Sequence, residues 1–190
     1  MNICVYGAAS DSIHETYIRE GEKLGRLMAE RGHALVYGAG ATGMMGAVSR
    51  GMNEKNGYVI GIVPDFFTNE EILNFNCNKL IRTIDMRDRK EIMEKKSDAY
   101  IVTPGGIGTY DEFFEILTLK QLGRHNKPIV LLNTKGFYNE LLAMTEHAIK
   151  EGFLMEACRD LYPAFATPEE VLDYIENYQA MDLSHLKNID

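Results

Sequence analysis

Residues 99–112 read AYIVTPGGIGTYDE, and this stretch predicts both a fold class and a ligand site. Its first five residues are apolar and β-prone, which predicts a buried strand. Residues 113–122 follow with apolar side chains at helical spacing, which predicts a helix. Between them, three glycines let a ligand approach the backbone N–H groups closely. Because a helix start adds unpaired N–H groups and a positive dipole end, the turn predicts a phosphate site.

Strands and helices alternate along the rest of the chain. The pattern predicts strands near residues 2–6, 33–37, 57–63, 79–84, 99–103 and 128–133, and helices near residues 13–31, 43–54, 86–96, 109–123, 137–151 and 167–178. Apolar strands that alternate with helices predict an α/β fold, in which a doubly wound parallel sheet carries helices on both faces. We expect one domain over residues 1–180 and a C-terminal tail over residues 181–190. Ligands bind such sheets beyond the carboxyl ends of the strands, where the glycine-rich segments fall.

Composition limits the partners of the chain. It has 190 residues and a net charge of −8, which disfavours nucleic acid because phosphate backbones are bound by basic surfaces. Cys4, Cys77 and Cys158 lie far apart without CxxC spacing, which is typical of reduced thiols in a cytoplasmic protein. No histidine or cysteine cluster has the spacing of zinc ligands. We expect neither a signal peptide nor a membrane span.

Residues 38–43 read GAGATG and match the dinucleotide fingerprint GxGxxG directly after a predicted strand. That fingerprint expects an acidic residue about 20 positions later for the ribose hydroxyls, and residues 56–59 offer none. We therefore interpret residues 38–46 as a second glycine-rich turn whose backbone binds the substrate, with Gly40 and Gly43 in contact with it. A nicotinamide-dependent oxidoreductase remains a weaker alternative, and tight helix packing explains some of these glycines. In the first βα turn, Ser10 is a donor either to a ligand or to its own turn.

The predicted helix Met86–Lys96 carries two cations on its inward side. At 100° per residue, Arg87 belongs to a broad polar face, whereas Arg89 and Lys90 lie beside Met93 on the opposite side. Inward cations either extend their heads to solvent or point at an anionic ligand. Both interpretations are open for Lys90, while the forked guanidinium of Arg89 favours ligand binding.

Glu112 also has two interpretations. Thr109 and Glu112 have the spacing of a capping box, in which the carboxylate folds back onto the Thr109 N–H, and from this pattern alone capping ranks above catalysis. Asp111 is either a first-turn acid favoured by the helix dipole or a ligand contact. The helix over residues 113–122 is apolar almost all round, which indicates burial on more than one side and favours a subunit interface.

Two motifs together resemble those of a known family. MRDRK at residues 86–90, followed by PGGIGTYDE at residues 104–112, is similar to the paired signature of the Lonely Guy (LOG) family. These are cytokinin riboside 5′-monophosphate phosphoribohydrolases, once labelled lysine decarboxylases, and the similarity extends over nearly the whole chain. It implies a Rossmann-like fold, a homodimer and no metal or organic cofactor. The implied reaction hydrolyses the N-glycosidic bond of an adenine-type nucleoside 5′-monophosphate to free base and ribose 5-phosphate.

The resemblance also implies roles for individual residues. Arg89 and Glu112 are the implied catalytic pair. The implied substrate-binding residues are Gly105, Gly106, Gly108 and Thr109 at the phosphate, with Met86, Lys90, Asp111 and Thr118 around the rest of the nucleotide. The chain departs from the family where Arg87 replaces a usual histidine, where Asp111 replaces a frequent glutamate, and where residues 7–10 read GAAS instead of CGSS. These departures bear on substrate preference.

The implied pair suits the implied reaction. Breaking the C1′–N bond builds positive charge on the ribose, and a nearby carboxylate stabilises that charge or activates water. An arginine anchors an anionic group or orients the carboxylate, while phosphate binding holds the sugar in place. The sequence leaves open whether Glu112 is an acid, a base or an electrostatic partner. It also leaves open a non-catalytic nucleotide-binding sensor of the same fold, although a pure binder needs no carboxylate beside a phosphate site.

Overall fold

The computed structural model describes residues 1–67 and 76–186. Within them, the strands are β1 (Asn2–Tyr6), β2 (Ala34–Tyr37), β3 (Val59–Pro64), β4 (Lys79–Thr83), β5 (Ala99–Val102), β6 (Ile129–Leu132) and β7 (Ala164–Phe165). The α-helices are α1 (Glu15–Glu30), α2 (Gly43–Glu54), α3 (Met86–Lys96), α4 (Ile107–Gln121), α5 (Asn139–Lys150) and α6 (Pro168–Glu176). Short 3₁₀ turns lie at Thr134–Gly136, Glu156–Leu161 and Ser184–Leu186.

The strands form one parallel sheet in the order β4-β3-β2-β1-β5-β6-β7. The chain builds outward from β1 to one edge, returns through α3, and then builds outward from β5 to the other edge. The order therefore reverses between β1 and β5, whose last residues Tyr6 and Val102 are paired. In sheets of this kind, ligands bind at this reversal, beyond the carboxyl ends of the strands. The predicted α/β fold with a parallel sheet is confirmed.

Both faces of the sheet are covered. Because successive strand residues point to opposite faces, Tyr6 packs in a core with Met93 of α3 and Phe113 of α4, whereas Val5 packs in a second core. The second core contains residues of α1, α2 and α6, such as Leu24, Val48 and Leu172. These two cores explain why the strands read as nearly continuous apolar runs.

Three of the differences from the sequence-based prediction bear on the fold or the site. The sequence does not predict β7, because two residues are too few to show a period. α4 begins at Ile107, two residues before the predicted start, because Gly106 rather than Gly108 or Thr109 is the extended N-cap residue. At the C-terminal end, Leu183 and Leu186 are buried against the core, and residues 187–190 of the predicted tail lie outside the described part of the chain.

Candidate active site

The glycine turn of residues 104–109 ends in a helix start without a side-chain cap. Gly106 is the N-cap residue of α4, and no side chain accepts a hydrogen bond from its first turn. A Cβ at Gly106 or Gly108 would meet no atom within 4 Å, so both positions face open space. A Cβ at Gly105 would lie 2.1 Å from Thr109 Oγ1, so a side chain does not fit there. The first amides of α4 therefore border open space at a helix start, and the phosphate site at these residues stays a prediction.

The capping-box interpretation of Glu112 is wrong. Since α4 begins at Ile107, Thr109 is its third residue and Glu112 its sixth, so the side chain of Glu112 has no helix start to cap. Glu112 is instead a buried carboxyl group in the second turn, and it lines the same cavity as Thr109.

Arg89 and Glu112 face each other across the gap between α3 and α4. Arg89 Nη2 lies 3.6 Å from Glu112 Oε1, and each side chain is only 10% exposed. Arg89 Nε donates a hydrogen bond of 3.2 Å to the Ile62 carbonyl at β3, which fixes the guanidinium over the strand ends. A Cβ at Gly38 would lie 1.7 Å from Arg89 Nη2, so the glycine after β2 makes room for this side chain. Arg89 thus lies on the inward side of α3, as the helical spacing predicts.

The environment of Glu112 changes its acidity. Burial raises the pKa of Glu112 from 4.5 to about 7, against the lowering effect of the Arg89 cation, and the nearby Asp111 adds to the rise. A carboxyl group with this pKa is present in both protonation states near neutral pH. It can therefore accept or donate a proton, which is the property expected of a catalytic acid or base.

A cavity of about 350 Å³ connects these features at the carboxyl ends of β1 and β5. It is lined by Gly7, Ala8, Ala9, Ser10, Met45, Met86, Arg89, Gly106, Gly108, Thr109, Asp111 and Glu112. The structure thus brings together eight of the residues that the sequence singles out. Met45 was missed, because a methionine in the first turn of α2 looks like a core residue, and its position beside the first glycine turn is the signal that could have found it.

Lys90 and Thr118 lie outside this cavity. Lys90 Nζ donates a hydrogen bond of 3.0 Å to Asp111 Oδ2 and forms an ion pair with Glu115, so it ties α3 to α4. The hydroxyl of Thr118 donates to the Phe114 carbonyl at 2.7 Å and faces an open groove on the outer side of α4. Contact of either residue with a nucleotide stays a prediction.

The first backbone amides of α2 donate hydrogen bonds to the loop that follows β1. The Gly43 N–H donates to Asp11 Oδ1 at 3.0 Å, and the Met45 N–H donates to the Ala8 carbonyl at 3.2 Å. A Cβ at Gly43, where φ is +60°, would lie 2.5 Å from the Ala8 oxygen. In this structure these two amides are therefore occupied by the loop after β1, and contact of Gly43 with a substrate stays a prediction. Contact of Gly40, which borders a small cavity beside Arg89, stays a prediction.

The described residues contain neither a cluster of metal ligands nor a helix that could span a membrane. Over residues 1–67 and 76–186, no three His, Cys, Asp or Glu side chains are grouped to hold a metal ion. Across the same ranges, no helix has the length and apolar character needed to cross a bilayer.

Known proteins share this sequence pattern. A family profile described as "Possible lysine decarboxylase" matches residues 45–175. "Probable cytokinin riboside 5′-monophosphate phosphoribohydrolase LOGL3" of Oryza sativa subsp. japonica is 37% identical over 175 residues, which cover 92% of this chain and 83% of that protein. The cytokinin riboside 5′-monophosphate phosphoribohydrolase LOG3 of Arabidopsis thaliana is 37% identical over 176 residues, with 93% and 82% covered.

Solved structures share the fold. The molybdenum cofactor binding protein of the phototrophic bacterium Rippkaea orientalis superimposes with a TM-score of 0.71 and 25% identity, over 92% of this chain and 94% of that one. The molybdenum cofactor carrier protein of Chlamydomonas reinhardtii has a TM-score of 0.68 at 22% identity, over 92% and 96%. The family match and the identity to the plant enzymes extend over most of the chain and include both motifs that meet at the cavity. The chain therefore belongs to the LOG family of cytokinin riboside 5′-monophosphate phosphoribohydrolases.

Proposed function

We propose that this chain hydrolyses the N-glycosidic bond of an adenine-type nucleoside 5′-monophosphate, either a cytokinin riboside monophosphate or AMP. The products are the free base and ribose 5-phosphate, and the proposed reaction uses no metal or organic cofactor. The observation that carries the proposal is the pair of Arg89 and Glu112, 3.6 Å apart and buried in the wall of the cavity onto which the start of α4 opens.

The 5′-phosphate fits at the start of α4, and the ribose fits beside Glu112. The amides at Gly106 and Gly108 and the Thr109 hydroxyl group are the donors for the 5′-phosphate. Glu112 lies six residues further along α4, which is about 9 Å along the helix axis. A ribose 5-phosphate spans this distance, so the anchored phosphate brings C1′ to the carboxyl group.

Glu112 then acts where charge develops. As the C1′–N bond breaks, the ribose becomes positive, and the ionised carboxylate stabilises it and accepts a proton from the attacking water. The oxygen of that water bonds to C1′, and the base leaves with the bonding electron pair and takes up a proton from solvent, to which Glu112 then returns the proton that it accepted. Arg89 orients the carboxylate and opposes the rise of its pKa.

A second candidate function is binding without hydrolysis. The similarity to the molybdenum cofactor binding protein of Rippkaea orientalis, at 25% identity, favours it, because that protein is a binding protein. Glu112 discriminates between the two functions, because a binding protein for an anionic ligand gains nothing from a buried carboxylate in the same cavity.

We further propose that the protein is a cytoplasmic homodimer. On the outer side of α4, Phe114 is 37% exposed and borders the open groove that also contains Leu119 and Thr118. The opposite side of the helix holds Phe113 and Ile116 in the core. A second copy packed on this groove would cover the apolar side chains that the single chain leaves in solvent. The cytoplasmic location rests on the cysteine spacing.

Product analysis tests the function. The protein is incubated, without added metal, with a panel of nucleoside monophosphates and the matching nucleosides, and the products are separated by chromatography. We expect base and ribose 5-phosphate from the nucleotides, and a far lower kcat/KM for the nucleosides because they lack the anchoring phosphate. Unchanged nucleotides, with and without divalent metals, would contradict the enzymatic function. Equal kcat/KM values would contradict the phosphate site at residues 105–109.

A further inference from the structure

A second cavity, of about 210 Å³, opens on the far side of the glycine turn. Its mostly apolar walls are formed by Ile13 and Tyr17, at the start of α1, and by Phe137, which follows β6. It shares Ala8, Ser10 and Gly106 with the active-site cavity, so the two cavities meet beside the N-cap of α4.

The order of residues along the turn shows which end of the proposed substrate lies nearest to the second cavity. Glu112 and Thr109 line the first cavity alone, Gly106 lines both, and Gly105 lines the second cavity alone. With C1′ at Glu112 and the 5′-phosphate at the start of α4, a group attached to that phosphate would leave the first cavity past Gly106. It would then enter the second cavity.

The walls of the second cavity suit an aromatic guest. The rings of Tyr17 and Phe137 are edge-to-face, with centroids 6.0 Å apart and planes at 80°, and this pair offers apolar surface to a further ring. Lys135 Nζ lies 5.9 Å from the centre of the Tyr17 ring and makes no ion pair within residues 1–67 and 76–186. A cation beside this ring pair favours a ligand whose linkage retains negative charge, as a phosphodiester does.

We propose that this cavity is a second subsite, which binds an aromatic group esterified to the 5′-phosphate of the nucleotide. The inference rests on the proposed function and widens its substrate class from monophosphates to phosphodiesters. In the reaction, water oxygen bonds to C1′ and the base departs with the electron pair of the C1′–N bond and gains a proton. The phosphodiester stays intact on the ribose product.

The test compares AMP with its phenyl ester, adenosine 5′-(phenyl phosphate). Dissociation constants are measured by calorimetry and base release by chromatography, for the wild-type protein and for Ile13→Trp, whose larger side chain fills the second cavity. We expect the wild type to bind the ester at least as tightly as AMP. In Ile13→Trp, the ratio of the ester Kd to the AMP Kd should rise at least tenfold. Tyr17→Leu keeps an apolar wall and should raise the ratio less.

Phe153→Trp is the matched control, because Phe153 is 84% exposed and lines neither cavity, and it should leave the ratio unchanged. Thermal melting confirms that each variant is folded. An ester that binds tenfold more weakly than AMP, or a ratio that Ile13→Trp does not change, would overturn the proposal. N6-benzyl-AMP is a third ligand, and selective loss of its binding in Ile13→Trp would place the base in this cavity and also overturn it. Because the ratio of Kd values needs no turnover, failure of AMP hydrolysis is distinguished from failure of the subsite.

Discussion

Glu112 lies where burial and a neighbouring cation have opposite effects on one carboxyl group. Burial is the larger effect and raises the pKa to about 7, while Arg89 at 3.6 Å lowers it. A buried carboxyl group with this raised pKa destabilises the folded protein at alkaline pH, where it is ionised. The same pKa suits it to proton transfer near neutral pH. Its position therefore has consequences that activity and stability measurements can separate.

Removing the charge of Glu112 should abolish most of the activity. Glu112→Gln keeps the side-chain shape, and because Glu112 does not cap α4, no cap is lost. We expect kcat to fall by roughly 10²-fold or more, the scale of a lost acid–base group. Arg89→Ala should also suppress turnover, because it removes the group that orients the carboxylate.

Arg87→Ala is the matched control for Arg89→Ala, since Arg87 lies on the same helix with an exposed side chain outside the cavity. Its hydrolysis rate and melting temperature should stay close to those of the wild type. A fully active Glu112→Gln enzyme would remove Glu112 from the mechanism.

The same substitution should stabilise the protein at alkaline pH. Because the folded protein holds the Glu112 proton up to about pH 7 and the unfolded chain releases it near pH 4.5, the free energy of unfolding falls as pH rises through this window. The loss approaches roughly 3 kcal/mol above pH 7. Glu112→Gln should therefore melt at a higher temperature than the wild type at pH 8, and at a similar temperature at pH 4. An equal difference at both pH values would contradict the raised pKa.

At the scale of elements, two helix starts meet at the reversal of strand order and differ in what their amides bind. The first amides of α2 donate to the loop after β1, through Asp11 and the Ala8 carbonyl. The start of α4 has no side-chain cap and faces the cavity. Of the two helix starts, the positive end of α4 is therefore the one that we propose binds a phosphate, while α2 is bonded to the loop after β1.

Substitution of Gly38, in the turn between β2 and α2, tests whether this turn holds Arg89 in position. A Cβ at Gly38 would lie 1.7 Å from Arg89 Nη2, and a flexible side-chain end can move away, so Gly38→Ala should fold normally and displace the guanidinium. We expect kcat/KM to fall nearly as far as in Arg89→Ala. In the Arg89→Ala background, Gly38→Ala should add little, because the two changes act through one group. Additive losses in this double-mutant cycle would show that Gly38 acts independently of Arg89.

At the scale of the whole molecule, the outer groove of α4 is the surface proposed for a second copy. Phe114→Glu would replace the exposed apolar ring of this groove with a charge, and we expect light scattering at micromolar concentration to show a monomer where the wild type is a dimer. Phe153→Glu is the control, because Phe153 is exposed and lies outside the groove, and it should leave the dimer intact. A wild-type monomer would refute the proposal, and a dimer that Phe114→Glu preserves would place the interface elsewhere.

Local patterns in the sequence were sufficient for the fold class and for every strand and helix of the sheet layers except β7. The strands and helices were predictable because apolar spacing reports which face of each element is buried, as Val5 and Tyr6 show on the two faces of β1. The glycine turn that leads into a helix start at residues 104–109 was predictable because the glycines and the helix are contiguous in sequence. The inward orientation of Arg89 followed from the geometry of a single helix.

Contacts between distant segments required the tertiary structure. The capping-box pattern at Thr109 misled because α4 begins two residues earlier, at Ile107. The bond from the Gly43 amide to Asp11, more than 30 residues earlier in the chain, also could not be read from sequence spacing. The approach of Arg89 to Glu112, the burial that raises the carboxyl pKa, and the place of Met45 in the cavity arise only when α2, α3 and α4 pack on the sheet. Sequence spacing describes one element at a time, whereas a cavity and its desolvation are properties of several elements packed together.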